Sequence, residues 1–281
     1  MAPQDLYRIR DFVPDFDAIA AEFVGRSREL SARSELRADI RYGPRRREVL
    51  DVILPERPGA KAPMHVFVHG GYWRSGEKEN YRFVAAPILA AGGVAAFVEY
   101  DLMPGSRLDV LVDQVRRGVS WLQQHASDFG ADPRRFTVSG HSAGAHLASF
   151  LAARGPRELE VEAAPLPALR GLLLLSGIYD LSDIPDSFLR DEAKMTPTEA
   201  EAWSPLTAIP AACPMRLIAF GADETSPFHD QATSLHAMLH SQSQTSRIMN
   251  VPHRNHMSIV LELGDPASAL GKYLVDMVSA A

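Results

Sequence analysis

Cysteine is nearly absent: Cys213 is the only one in 281 residues. That excludes an internal disulfide and fits a reducing compartment, the cytoplasm. Cys213 precedes Pro214 and an apolar run, so it reads as a buried structural thiol and not as a nucleophile. No stretch approaches 18 uninterrupted apolar residues, which argues against a membrane span. Residues 1–10 scatter Asp5, Arg8 and Arg10 where a secretory leader would carry a continuous apolar core. Runs of one charge are missing too. With a formal charge of −6 and no basic face, nucleic acid is a poor choice of partner. The one basic cluster, Arg45, Arg46 and Arg47, reads as a hairpin tip in solvent. There is no internal repeat and no low-complexity segment. Neither an H-E-x-x-H pattern nor a cysteine pair accompanies the histidines, so no metal or cofactor is expected.

What is present is a long alternation of apolar runs and amphipathic stretches. At 46% hydrophobic, residues 1–281 suffice for one large α/β domain. A helix is expected over 15–33, where Phe16, Ile19, Ala20, Phe23 and Val24 recur at helical spacing; it either braces the domain or closes over a site as a lid. Segments 37–42 and 48–54 read as an antiparallel edge hairpin. Strands are then expected at 64–68, 94–100, 136–139, 172–176, 215–220 and 247–251. Helices fall between them near 79–91, 108–127, from 142, and 229–241, with a last one over 266–279. Such alternation implies right-handed crossovers and a mostly parallel sheet of about eight strands with helices on both faces. Residues 181–210 interrupt it with polar and proline-punctuated sequence holding Phe188, Met195 and Trp203, which suits a small cap or pocket insert.

Chemistry gathers at the carboxyl ends of such strands. After the run ending at Ser139 comes Gly140-His141-Ser142-Ala143-Gly144, a strand-to-helix elbow whose glycines let strand and helix pass closely. Ser142 is therefore the candidate nucleophile, with the helix-start amide of Ala143 facing a developing oxyanion. His69-Gly70-Gly71-Tyr72-Trp73 follows an earlier strand and can supply further amides from Gly70, Gly71 and Tyr72, with His69 as a hydrogen-bonded scaffold residue. The turn after 215–220 offers Asp223, chosen over Glu224 and, more distantly, Asp180, because a short carboxylate is easier to hold rigid. The turn after 247–251 offers His256 ahead of His253 as the base. His141 and His146 line or brace the elbow, while Trp73, Tyr179 and Phe228 are candidates for an aromatic pocket wall.

The segments His69-Gly-Gly-Tyr-Trp73, Glu99-Tyr-Asp-Leu-Met-Pro104, Gly140-His-Ser-Ala-Gly-Ala-His-Leu147, Ser176-Gly-Ile-Tyr-Asp-Leu181 and Asn255-His256 together resemble the arylformamidase (kynurenine formamidase) branch of the α/β-hydrolases, near the hormone-sensitive-lipase-like esterases. The matches span residues 40–260. The resemblance implies an α/β-hydrolase fold and a serine hydrolase of small esters or aryl formamides, with Ser142, Asp223 and His256 as triad and the HGG loop as oxyanion hole. It implies a small-molecule partner and no cofactor, and leaves a homodimer open. One departure concerns the acid: the family's carboxylate is followed closely by Ser-Pro, and here both Asp223 and Glu224 precede Thr225-Ser226-Pro227. The alternatives are a short-chain carboxylesterase of broad specificity and a non-catalytic ligand-binding protein on the same scaffold.

Overall fold

Apolar β runs and amphipathic helices do alternate along the chain in the computed structural model, which describes residues 4–57, 59, 61–156, 158 and 165–281. In chain order the strands are β1 (Glu35–Arg41), β2 (Val49–Leu54), β3 (Ala62–Val68), β4 (Val94–Val98), β5 (Ala131–His141), β6 (Ala153–Arg154), β7 (Gly171–Leu175), β8 (Ile209–Pro210), β9 (Met215–Gly221) and β10 (Arg247–Val251). The helices are α1 (Phe16–Ala32), α2 (Ala85–Ala90), α3 (Leu108–Gln124), α4 (Ala143–Ser149), α5 (Arg190–Ala193), α6 (Pro197–Ala202), α7 (Ser226–Ser241), α8 (Ser258–Leu263) and α9 (Ala269–Ser279).

Eight strands form one sheet in the order β1-β2-β4-β3-β5-β7-β9-β10. The β1–β2 and β2–β4 pairs are antiparallel and the remaining five are parallel. Because the central strands are covered on both faces, they are apolar end to end, as in Val94–Val98 and Gly171–Leu175, where every residue is buried. Polar side chains also lie inside the sheet, among them His65, Thr137, Ser139 and Arg216. His65 on β3 bridges to β5 through the Thr137 and Ser139 hydroxyls at 2.8 and 2.7 Å, and burial holds its imidazole down to about 3.

Several local readings shift. The expected helix over 79–91 is a 3-10 segment, Lys78–Val84, running into the short α2. The 15–33 helix and the edge hairpin fall as expected. The basic hairpin tip does not lie wholly in solvent. Arg47 is half-buried, its Nε donating to the Tyr100 carbonyl at 2.7 Å and a terminal nitrogen to Glu99 at 2.5 Å. A three-arginine run hides this, since nothing in it marks which side chain turns under the sheet edge.

Candidate active site

The parallel strands β3, β5, β7, β9 and β10 all end at one edge, and the loops leaving them hold residues in unusual backbone conformations. Tyr72 and Trp73 after β3, Ser142 after β5, Ser176 after β7 and His253 after β10 all have positive φ, between 50° and 59°. Non-glycine residues reach this region at a cost that the surrounding structure must offset, and such residues cluster at functional sites.

The elbow is the sharpest of these exits. Ser142 sits at φ 55° and ψ −123°, with its amide donating to the Leu175 carbonyl at 2.8 Å and its carbonyl accepting from the His146 amide at 3.1 Å. A Cβ on Gly140 would fall 2.3 Å from the Gly144 carbonyl oxygen, and one on Gly144 would fall 2.1 Å from the Val68 carbonyl oxygen. Glycine at both positions is thus a packing requirement of the turn. Gly70 presses on the same spot, since its added Cβ would lie 3.1 Å from Ser142 Cβ. Gly71, at φ 124°, accepts the Arg74 and Ser75 amides and closes the loop.

That loop is pinned from behind. His69 bonds Glu99 through Nε2 at 2.7 Å and the Gly70 carbonyl through Nδ1 at 2.8 Å, and it stacks on Tyr100 with centroids 4.4 Å apart. Tyr100 donates its hydroxyl to the His69 carbonyl at 2.7 Å. Burial alone would raise the Glu99 carboxyl; His69, Arg47 and the Lys78 amide outweigh it and hold the group down to about 2.

The loop after β10 and the turn after β9 are joined through their backbones. The amides of Ala222 and Asp223 donate to the carbonyls of Val251 and Arg254 at 2.9 and 3.0 Å. The carboxylate that reaches His256 is that of Glu224, not Asp223: Glu224 Oε2 accepts from His256 Nδ1 at 2.7 Å. Its other oxygen, Oε1, accepts the Ser176 hydroxyl and the Gly221 amide, each at 2.6 Å. Asp223 contributes its amide to the turn and points its side chain to solvent. His256 is buried and packs between Phe228 at 4.4 Å and His141 at 4.8 Å, whereas His253 is exposed. Asn255 Oδ1 accepts the Met257 and Ser258 amides at 3.0 and 2.8 Å, which starts α8 and fixes the residue before His256.

Ser142, His256, His141, Gly70, Gly71 and Tyr72 line one cavity of about 560 Å³. His141 donates Nε2 to the His256 carbonyl at 2.8 Å, and burial followed by the neighbouring His256 keeps its ring well below the ordinary histidine value, hence neutral. Ala143 is buried at the first turn of α4, directly after the serine. The three expected pocket aromatics lie elsewhere, Phe228 being buried against His256 and outside the cavity lining. Trp73 and Tyr179 are fully buried away from the cavity. Trp73 Nε1 donates to His146 Nδ1 at 3.1 Å, and His146 Nε2 donates onward to the Trp203 carbonyl at 2.8 Å. Tyr179 lies against Gly177, where an added Cβ would meet its hydroxyl at 2.4 Å. The wall is built instead from the N-terminal segment, including Arg8, Ile9, Phe16 and Phe23, with Phe188 from the excursion between β7 and β9. Phe16 and Phe23 were visible as the apolar stripe of a helix, but a stripe does not say whether it faces the core or a cavity.

An eight-stranded, mostly parallel sheet with a strained serine at a strand-to-helix elbow defines an α/β-hydrolase. Residues 50–239 match the BD-FAE family model, and the chain belongs to that family. It is 32% identical to the kynurenine formamidase of Danio rerio over 85% of this chain and 81% of that protein. It is 28% identical to esterase LipQ of Mycobacterium tuberculosis over 61% of this chain and 46% of that one. Among solved structures, a Silicibacter protein superposes with a TM-score of 0.81 at 24% identity over 99% of both chains. A phosphonate-inhibited esterase B from Lactobacillus rhamnosis does so with 0.73 at 18% identity, over 96% and 95%. The chain is therefore a hydrolase, standing among formamidases and esterases. None of its described helices is long and apolar enough to cross a membrane.

Proposed function

We propose that this protein is a serine hydrolase of aryl formamides and small esters in which Ser142, His256 and Glu224 are nucleophile, base and acid. One observation carries the reading: the 2.7 Å bond from His256 Nδ1 to a buried Glu224, behind a cavity that His256 shares with the strained Ser142. With Nδ1–H committed to the carboxylate, the lone pair on Nε2 is the one free to take a proton.

Ser142 Oγ attacks the carbonyl carbon as its proton passes to His256 Nε2. The resulting oxyanion sits against the amides of Gly71, Tyr72 and Ala143, with Gly70 leaving the approach clear. Collapse breaks the C–N or C–O bond, and the imidazolium returns its proton to the departing amine or alcohol. Water then attacks the acyl-serine by the same route, releasing formate or another carboxylate. Glu224 keeps the imidazole in one tautomer and stabilises its charged form throughout.

Similarity to a kynurenine formamidase across 85% of the chain favours formamides. A formyl group needs almost no acyl space, and Phe16, Phe23 and Phe188 give the cavity aromatic walls for an aryl leaving group. Likeness to esterases favours the second reading, a short-chain carboxylesterase. Ser142→Ala is expected to lower kcat on 4-nitrophenyl acetate by several orders of magnitude, and substantial residual turnover would end both readings. Comparing kcat/KM for N-formylkynurenine with that for acetyl and butyryl esters separates them, a clear butyryl preference rejecting the formamidase.

A further inference from the structure

The segment ahead of α1 is tied across the cavity mouth by its own backbone and side chains. Asp5 Oδ2 accepts the Phe188 amide at 2.5 Å, and the Leu6 carbonyl accepts the Thr225 hydroxyl at 2.8 Å. The Tyr7 carbonyl accepts the Tyr72 hydroxyl, and the Tyr7 hydroxyl accepts from Gln231 Nε2 at 2.8 Å. One short strap thus touches the β7–β9 excursion, the turn beside Glu224, the glycine loop and α7. Whatever it presents to the cavity is held in fixed register with the reacting groups.

It presents Arg8. Three arginines line the cavity, and two are already neutralised: Arg10 by Asp17 at 2.8 Å and Arg74 by Glu192 at 2.6 Å. Arg8 is exposed, and among the described residues no carboxylate pairs with it. Its guanidinium carbon lies 5.1 Å from the Phe188 ring centroid. A guanidinium stacked on a ring keeps its in-plane N–H fork open for two parallel bonds to a carboxylate. Asp11, also exposed, lines the cavity as well, so the strap brings to it one charge of each sign that has no ion-pair partner among the described residues.

We propose that Arg8 is a specificity-determining residue that reads a carboxylate on the leaving-group half of the substrate. The inference rests on the reading of the site as a formamide and ester hydrolase. It assigns the carboxylate to the leaving group because a formyl acyl group has no room to bear one.

The test is steady-state kinetics of the wild type, Arg8→Gln and Arg8→Lys on two matched substrate pairs. One pair is a formanilide with a carboxyalkyl arm and its primary carboxamide; the other is an aryl acetate with the same two arms. Arg8→Gln is expected to raise KM for the carboxylate member by roughly 10- to 100-fold and far less for the carboxamide, with kcat little altered, and Arg8→Lys is expected to recover part of the loss. Equal increases for both members of a pair, or no wild-type preference for the carboxylate, would overturn the proposal. If formanilides are not turned over at all, the formamide reading fails, and the acetate pair still decides the role of Arg8.

Discussion

Glu224 and Asp223 are neighbours in one turn, yet only the glutamate faces inward, where its longer arm meets His256, Ser176 and the Gly221 amide together. Glu224→Gln is expected to lower kcat/KM on 4-nitrophenyl acetate by roughly 10³- to 10⁴-fold, since an amide no longer holds the productive tautomer. Asp223→Asn is expected to stay within about threefold, as its side chain is in solvent. A larger loss in the aspartate variant would reverse the assignment. That Ser142 and His256 meet at one cavity was legible in the sequence because each follows an apolar strand by a short, fixed spacing. Which carboxylate reaches His256 was not, because adjacent carboxylates carry no mark of which points inward across a turn. Trp73 failed for a related reason, as aromatic content does not reveal which face of a loop it packs on. Trp73→Phe leaves the buried Nδ1 of His146 without its donor, an expected cost of about 1–3 kcal/mol in urea unfolding. KM for an aryl ester is expected to stay within about twofold, because Trp73 does not line the cavity. A large KM change with unaltered stability would restore Trp73 to the pocket.

Among the elements, the buried strands were legible because they read as continuous apolar runs, and their mostly parallel arrangement followed from their alternation with helices. Short pieces were less so. The six residues of α8 and the two-residue strands β6 and β8 hold too few positions to display a period. The glycine loop is an element of another kind, with little regular structure and a shape imposed from behind by His69, Glu99 and Arg47. Arg47 also donates to the Gly76 carbonyl at 2.8 Å, so it ties both sides of the loop. Removing it in Arg47→Ala leaves Glu99 with one cation fewer and the loop amides less fixed. We expect kcat to fall by roughly 10-fold or more with KM less affected, as displacements of about 1 Å at a reacting centre are costly. A variant that loses stability but keeps kcat would confine Arg47 to a structural role.

Across the whole molecule, burial of neutral histidines couples the fold to pH. His65 is held down to about 3, His146 to about 4, and His141 well below the ordinary value, in each case chiefly by burial. Below pH 6.5 the unfolded chain protonates these side chains and the folded chain does not, so protons favour unfolding; the stability present above 6.5 is lost as pH falls toward the folded values. From pH 7 to 5 His65 and His146 are each expected to remove about 2 kcal/mol of stability, and His141 acts in the same direction. Glu99, held down to about 2, adds to the loss only at lower pH, once the unfolded carboxyl begins to protonate near 4.3. Urea midpoints at pH 7 and pH 5 measure the combined effect. Replacing one such group isolates its share. His65→Gln gives up the bridge between Thr137 and Ser139 and is less stable at pH 7, but its stability is expected to fall less between the two pH values, by about 2 kcal/mol. If wild type and variant lose stability in parallel, His65 takes up its proton without unfolding, and the acid sensitivity of the fold must come from other groups.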